Sequence, residues 1–410
     1  MSTRRVLGLV FLSLAMVTGA AVGDVVTHWN MTAMDFIRIQ GLSNHVGNRA
    51  MAMMHLAMFD AINGSQQRYT PFSWTKKVPK GLPADAVAAA AAMEVLAGVF
   101  PDYRATFVTL YDQQTATLNA GRKRATYVQG LRIAEAMLAL RKDDGAAGAG
   151  GVPFPDGTQP GQWRRTGAAA PVLPGWGQVT PFCMLSGTQF RLLGPPPLDG
   201  YEYARDYNET KEIGKAVSTV RTAEQEDIAN FWIMGIPMLW NMVAHQLSES
   251  EDYDLLDNAR LFALLNVALA DAQVVGWDMK YHYGFWRPVT AIRLGDTDGN
   301  DATDPDLEWT SLLPAPAFPE YTSGHSTSCS AAATVLATVN GGDSFTFVLT
   351  SMATPTLPPR TYQGFWQAAR EAGISRIYGG IHFNFSNVEG LEAGRSLGRY
   401  ICENFMTRQE

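Results

Sequence analysis

Three short stretches in the last third of the chain collect cations and histidines that an ordinary core would not bury unpaired. The first reads Lys280-Tyr281-His282-Tyr283-Gly284-Phe285-Trp286-Arg287-Pro288. Lys280 ends one predicted helix, Gly284 lets the chain turn, and Pro288 suits the first position of the next helix. Two cations on either side of such a break can grip one anion from different sides. The second stretch is Phe318-Pro319-Glu320-Tyr321-Thr322-Ser323-Gly324-His325. A hydroxyl, a glycine amide and a helix N-terminus together make a seat for an oxyanion. His325 falls in that first turn, placed to give or take a proton. The third is Ser375-Arg376-Ile377-Tyr378-Gly379-Gly380-Ile381-His382. A six-residue step does not keep two side chains on one helix face, but the Gly379-Gly380 break lets Arg376 and His382 converge. Each piece alone is commonplace. The joint order of K-x6-R-P, S-G-H and S-R-x3-G-x-H carries the signal.

The elements that must position these groups read as nearly all helix. Met51, Met54, Met58, Phe59 and Ile62 repeat at helical spacing and are closed by Asn63-Gly64. Ala86–Val99, Tyr103–Leu118 and Lys123–Leu140 follow. Residues 144–200 are rich in Gly and Pro turns and read as a long ordered loop, docked by Trp163, Trp176, Phe182 and Phe190. Further helices are expected near 202–216, 223–234, 236–249, 256–280, 325–339, 361–373 and 387–405, with no strand hairpin. Thr222 with Gln225, and Ser386 with Glu389, have the spacing of capping boxes. The fold class is all-α, two packed helical bundles. The boundaries expected are a leader over 1–23, an N-terminal helical region with its crossover loop over 24–200, and a site-bearing bundle over 201–410.

Composition narrows the classes. A hydrophobic fraction of 46% supports a large core, and charged residues at 17% fall below the usual ~25%. That excludes a coiled coil, a disordered tail and a charge-laced nucleic-acid binder. With a net charge of −7, any bound anion needs a local cluster of cations set against the global sign. Arg4 and Arg5, the apolar run Val6–Val17 and Ala21-Val22-Gly23 have the layout of a secretory leader. The chain is therefore expected to be exported, periplasmic or secreted, without stable membrane insertion once the leader is removed. The best later candidate for a span, Ala86–Phe100, is short and interrupted by Glu94. Cys183, Cys329 and Cys402 are read as buried free thiols.

With these motifs in view, the sequence resembles the vanadium-dependent haloperoxidases and the related type 2 phosphatidic-acid phosphatase superfamily. The specific match runs from Trp277 to about Glu389, and the helical pattern from Asp24 onward is similar more loosely. The resemblance implies that Lys280, Arg287 and Arg376 bind the equatorial oxygens of vanadate or phosphate, with Ser323 and the Gly324 amide as neutral donors. It implies that His325 is the acid–base histidine and that His382 is the axial ligand of vanadium. Trp277 and Phe318 stand where chloroperoxidase-like members place the aromatics of the halide pocket. The implied cofactor is vanadate, and the implied partners are hydrogen peroxide, halide and an organic acceptor. Lys280 would polarise the peroxide and His325 would move protons while halide is oxidised to a hypohalous acid, without redox change at the metal.

The physics is consistent with that reading. One cation about 4 Å from an anion, at an effective dielectric near 20, is worth roughly 4 kcal/mol before desolvation. Three of them with Ser323 and a helix terminus can hold an oxyanion in an acidic protein. One departure stands out. The family's third motif usually carries an acid four residues after the histidine, and here that residue is Ser386. In the phosphatases that acid orients the nucleophilic imidazole. The alternatives are an exported acid phosphatase acting through a phosphohistidine, and a silent anion-binding helical protein. The acid partner of Arg376 stays open among Glu224, Asp227 and Glu371.

Overall fold

Asp24 and Ser43 accept hydrogen bonds from the first free amides of the first two helices, which fixes where each begins. The structure, a computed structural model, describes residues 23–409; most of the expected leader lies outside them. Helices α1 (Val25–Ile39), α2 (Asn44–Gln66), α3 (Ala84–Val99), α4 (Arg104–Gln114) and α5 (Ala120–Leu140) form the first half. α2 does not close at Asn63-Gly64. It runs on to Gln66, because the Asn63 side chain instead brackets Tyr69, accepting from its N–H at 3.0 Å and donating to its carbonyl at 2.7 Å.

The loop that follows α5 is held rather than free. Trp163 and Trp176 are buried, and Phe182 and Phe190 pack against the core. The buried carboxylate of Asp271 accepts from the amides of Phe182 and Cys183 at 2.7 and 2.8 Å.

The second half holds α6 (Tyr201–Ile213), α7 (Ala223–Phe231), α8 (Ile236–Glu251), α9 (Leu255–Tyr283), α10 (Pro288–Arg293), α11 (Gly324–Asn340), α12 (Phe365–Tyr378) and α13 (Asn384–Asn404). α9 packs against α2 on one side and α11 on the other, while α11 lies along α13. It is also long and apolar enough to cross a membrane by composition, a stretch the sequence reading overlooked. Here 94% of its apolar window is buried inside the fold, so it serves as the central core helix. All three cysteines are buried and free.

Two further expectations are corrected. The helix over 361–373 starts only at Phe365. Before it, β2 (Arg360–Gly364) pairs antiparallel with β1 (Ser344–Leu349). Alternation of Phe345, Phe347 and Leu349 suits a strand, and Phe347 packs on Tyr362 at 5.4 Å. The second capping box is also absent. α13 begins at Asn384, so Ser386 lies inside its first turn and Phe383 is the cap. Glu389 instead accepts from the Tyr321 hydroxyl. The Thr222–Gln225 box is present with both of its bonds.

Candidate active site

Each site segment is placed by a local backbone device. α9 ends at Gly284, which takes the left-handed conformation (φ 55°) and caps the helix; Arg287 and Pro288 then open α10. Ser323 caps α11: its Oγ accepts from the Ser326 amide and lies 2.8 Å from the Ser326 hydroxyl, which also reaches Asn387 Oδ1 at 2.8 Å. α12 stops at Tyr378, and Gly380 turns the chain at φ 74°. A side chain at Gly380 would meet the Gly214 carbonyl at 2.2 Å, so only glycine allows this approach to α6. Arg376 and His382 thereby line the same cavity.

That cavity, about 240 Å³, is walled by Gly324, His325, Arg376, His382, Trp277 and Phe318, together with His45, Gln273 and Val172. Trp277 and Phe318 pack with ring centroids 4.9 Å apart. Lys280, Arg287 and Ser323 are not part of its wall; they stand directly behind it, fully buried. Lys280 Nζ donates to the carbonyls of Pro319, Glu320 and Thr322 at 3.2, 2.9 and 2.5 Å. Arg287 donates to the carbonyls of Phe318, Pro319 and Ile381 at 2.9, 3.2 and 2.8 Å. Both cations also lie over the Phe318 ring, at 5.1 and 4.8 Å. Together they clamp the loop that leads into Ser323.

The histidines differ in their surroundings. His325 keeps part of its surface open, and its Nε2 lies 2.9 Å from the Trp232 carbonyl. Arg376 donates to that same carbonyl at 3.0 Å, while its Nε is buried with no partner. His382 is buried. Its Nδ1 lies 2.7 Å from Glu320 Oε1 and its Nε2 3.1 Å from an Arg287 nitrogen. None of the acids considered for Arg376 reaches it. Glu371 and Glu224 are taken by Arg360, and Glu371 also accepts from the Trp232 indole.

Burial dominates the electrostatics. It pushes the Lys280 amine well below its usual range, with the Arg287 charge acting in the same direction. Arg287 is brought down to about 10 and Arg376 to about 9, each by desolvation. His325 and His382 are held well below the ordinary histidine value, first by burial and then by the neighbouring cations. Both imidazoles are therefore neutral, and the Glu320–His382 contact is a hydrogen bond to a neutral ring. Burial raises the Glu320 carboxyl to about 7 against the opposing pull of Arg287 and Lys280. Arg287 and Lys280 share this one carboxylate, while Arg376 has Arg287 as its charged neighbour, and an anion among the three would restore balance.

The donor set fits vanadate or phosphate. The unpartnered Arg376 Nε and the α11 N-terminus are groups that an oxyanion satisfies. Among the described residues, no group of three His, Cys, Asp or Glu side chains is set to hold a metal cation. Sequence reasoning missed the Trp232 carbonyl, the His45 ring and the Glu320 carboxylate. Only Glu320 left a usable signal, an acid inside the second motif.

Comparison with known proteins agrees with this arrangement. Residues 260–409 match the model of the VCPO second helical-bundle domain. A vanadium chloroperoxidase from Curvularia inaequalis is 42% identical over 81 residues, covering 17% of this chain and only 13% of that relative's length. The crystal structure of a bacterial vanadium-dependent iodoperoxidase superposes with a TM-score of 0.80 at 25% identity, covering 96% of this chain and 100% of the other. A holo-type bacterial vanadium-dependent chloroperoxidase shares the fold with a TM-score of 0.69 at 17% identity, covering 93% of each chain. In its C-terminal bundle, and in a fold shared over nearly its whole length, the chain is similar to the vanadium-dependent haloperoxidases.

Proposed function

We propose that this protein is a vanadate-dependent haloperoxidase that uses hydrogen peroxide to oxidise halide to a hypohalous acid equivalent, which then halogenates organic acceptors. The observation that carries this reading is the convergence of His382, Arg376, His325 and the α11 N-terminus on one cavity, backed by two further buried cations. Bound vanadate supplies the electrophilic site at which peroxide is activated toward halide. His382 would hold it through Nε2, and Arg376 and the Gly324 amide, which reach the cavity, would take its oxygens, with Ser323 behind them as the cap of α11. Lys280 and Arg287 contribute field from behind the wall, and they fix the loop that positions Ser323. His325, neutral and partly open to the cavity, is placed to accept a proton from incoming peroxide and return it to the departing oxygen. Trp277 and Phe318 offer a polarisable apolar wall for a large, weakly hydrated halide. The iodoperoxidase likeness makes iodide the first halide to test, with bromide next.

The same reading includes export. The N-terminal arginines, apolar run and small-residue site support it, and sequencing the N-terminus of protein recovered outside the cytoplasm tests it. Activity is tested with purified protein, peroxide and iodide or bromide, following halogenation of a dye with and without vanadate. Turnover that depends on vanadate supports the proposal. Absence of halogenation from pH 4 to 8, with vanadate shown to be bound, overturns it.

A further inference from the structure

We infer that Glu320 is the positioning residue for His382: it fixes the ring orientation and the proton location that leave Nε2 unprotonated, in place of an acid at position 386. This rests on the oxyanion-site reading above but concerns a residue outside the expected site set.

Glu320 Oε1 lies 2.7 Å from His382 Nδ1 and accepts from the Phe383 amide at 3.0 Å. One oxygen therefore holds both the ring and the backbone that follows it. At the other end of the ring, the Arg287 guanidinium sits 3.1 Å from Nε2, and a guanidinium only donates. A neutral imidazole facing a carboxylate at Nδ1 and a donor at Nε2 satisfies both only with its proton on Nδ1. The Nε2 lone pair, which accepts from Arg287 in this structure, is then the one ring site available to a ligand that displaces that contact. The carboxylate itself cannot drift. Lys280 donates to the backbone carbonyls of Pro319, Glu320 and Thr322, and Arg287 to those of Phe318 and Pro319.

Position 386 completes the picture. Its side chain is a serine, fully buried, and its Oγ faces the Glu320 carboxylate. Neither Ser386 Oγ nor Glu320 Oε2 has a partner of hydrogen-bond geometry. An acid at 386 would set a second carboxylate against the first, so the small residue there follows from placing the acid at 320. The acid four residues after the histidine has thus been replaced by one 62 residues before it.

The test separates this claim from the proposed function. Imidazole 15N shifts of His382 are measured first on the wild-type protein without added anion. A protonated Nδ1 with a bare Nε2 is expected; the opposite tautomer overturns the inference whether or not the protein binds vanadate. Vanadate and inorganic phosphate are then titrated into Glu320→Gln and Glu320→Ala. An amide oxygen still accepts from Nδ1 but lends the ring less basicity. Glu320→Gln is therefore expected to keep the tautomer and lose about 10-fold in vanadate affinity, within the range for partners of metal-bound histidines. Glu320→Ala should lose up to about 100-fold along with the fixed tautomer. Phosphate, held by the cations without a bond from His382 in the binding step, should change by less than about 3-fold. Equal losses of both anions would mean mere loosening, and unchanged vanadate affinity in Glu320→Gln would mean no role; either contradicts the inference. Should Glu320→Ala not fold, the wild-type shifts and Glu320→Gln decide.

Discussion

Asp60 in α2 and Arg376 in α12 are both charged and both buried, yet their surroundings are opposite. Asp60 accepts from the amides of Phe72, Ser73 and Trp74 and from the Ser73 hydroxyl, each at 2.8 Å. Arg376 donates to one protein carbonyl and keeps an unpartnered Nε. The first half spends a buried charge on closing its own loop. The second half carries buried cations whose donors are not all used by the protein. A charge that the fold satisfies completely is structural, while one it leaves short of partners is held for a ligand.

That contrast is most sharply broken by exchanging the two outcomes. Asp60→Ala strands three amides near the core, at about 1–3 kcal/mol each. A stability loss of at least about 3 kcal/mol is expected in denaturant titration, with the vanadate affinity of the folded protein unchanged. Arg376→Met should do the reverse. Vanadate affinity should fall about 30- to 1,000-fold, corresponding to the ~2–4 kcal/mol of a buried charged contact. Thermal stability should hold or rise, because the cost of desolvating the cation is removed. A destabilised Arg376→Met protein with intact affinity would make Arg376 structural as well.

Two helix crossings sharpen the comparison at smaller cost. A Cβ at Gly130 on α5 would meet Ala90 Cβ at 2.4 Å and the Val87 carbonyl at 2.7 Å on α3. A Cβ at Gly394 on α13 would meet Ser330 Oγ and the Thr327 carbonyl on α11, both at 2.1 Å. Either glycine-to-alanine change should cost about 1–3 kcal/mol by overpacking. Only Gly394→Ala pushes on the helix that begins at Gly324 and His325, so it alone should also weaken vanadate binding.

Acid provides the mildest test. His55 and His245 flank Asn30 at 2.8 and 2.9 Å, and burial lowers them to about 3 and about 4. Asp24, the charge facing His245, pulls in the opposite direction. A histidine lowered by folding contributes stability that is full above its unfolded value of about 6.5 and is lost as pH falls through the window below it. Stability should therefore drop from pH 6.5 to about 4 for His245 and to about 3 for His55, by up to ~1.4 kcal/mol per pH unit for each. His245→Gln should flatten that slope, measured as the unfolding midpoint against pH.

The comparison also shows what was legible in the sequence. Helical periodicity located most of the helices, because each signal lies within one segment. The Gly379-Gly380 break made the approach of Arg376 to His382 readable for the same reason. What escaped depends on distance or on backbone. The Trp232 carbonyl, shared by His325 and Arg376, has no side-chain signature. Glu320 lies in the quoted motif, but its pairing with His382 requires the loop to be clamped by Lys280 and Arg287. Ser386 was misread as a cap because α13 begins two residues earlier, which turns its side chain toward Glu320. The β2 strand was taken for the start of a helix because Arg360–Gly364 is short and runs directly into α12.

If His382 holds the anion and His325 moves protons, calorimetric titration of vanadate into His382→Ala and His325→Ala, beside the wild-type protein, tests that division directly. His382→Ala should lose most of the affinity, keeping only ionic contacts that phosphate would share. His325→Ala should retain much of the binding while turnover falls about 10²–10⁴-fold, the usual contribution of general acid–base catalysis. Equal losses of vanadate binding in the two variants would contradict the assignment.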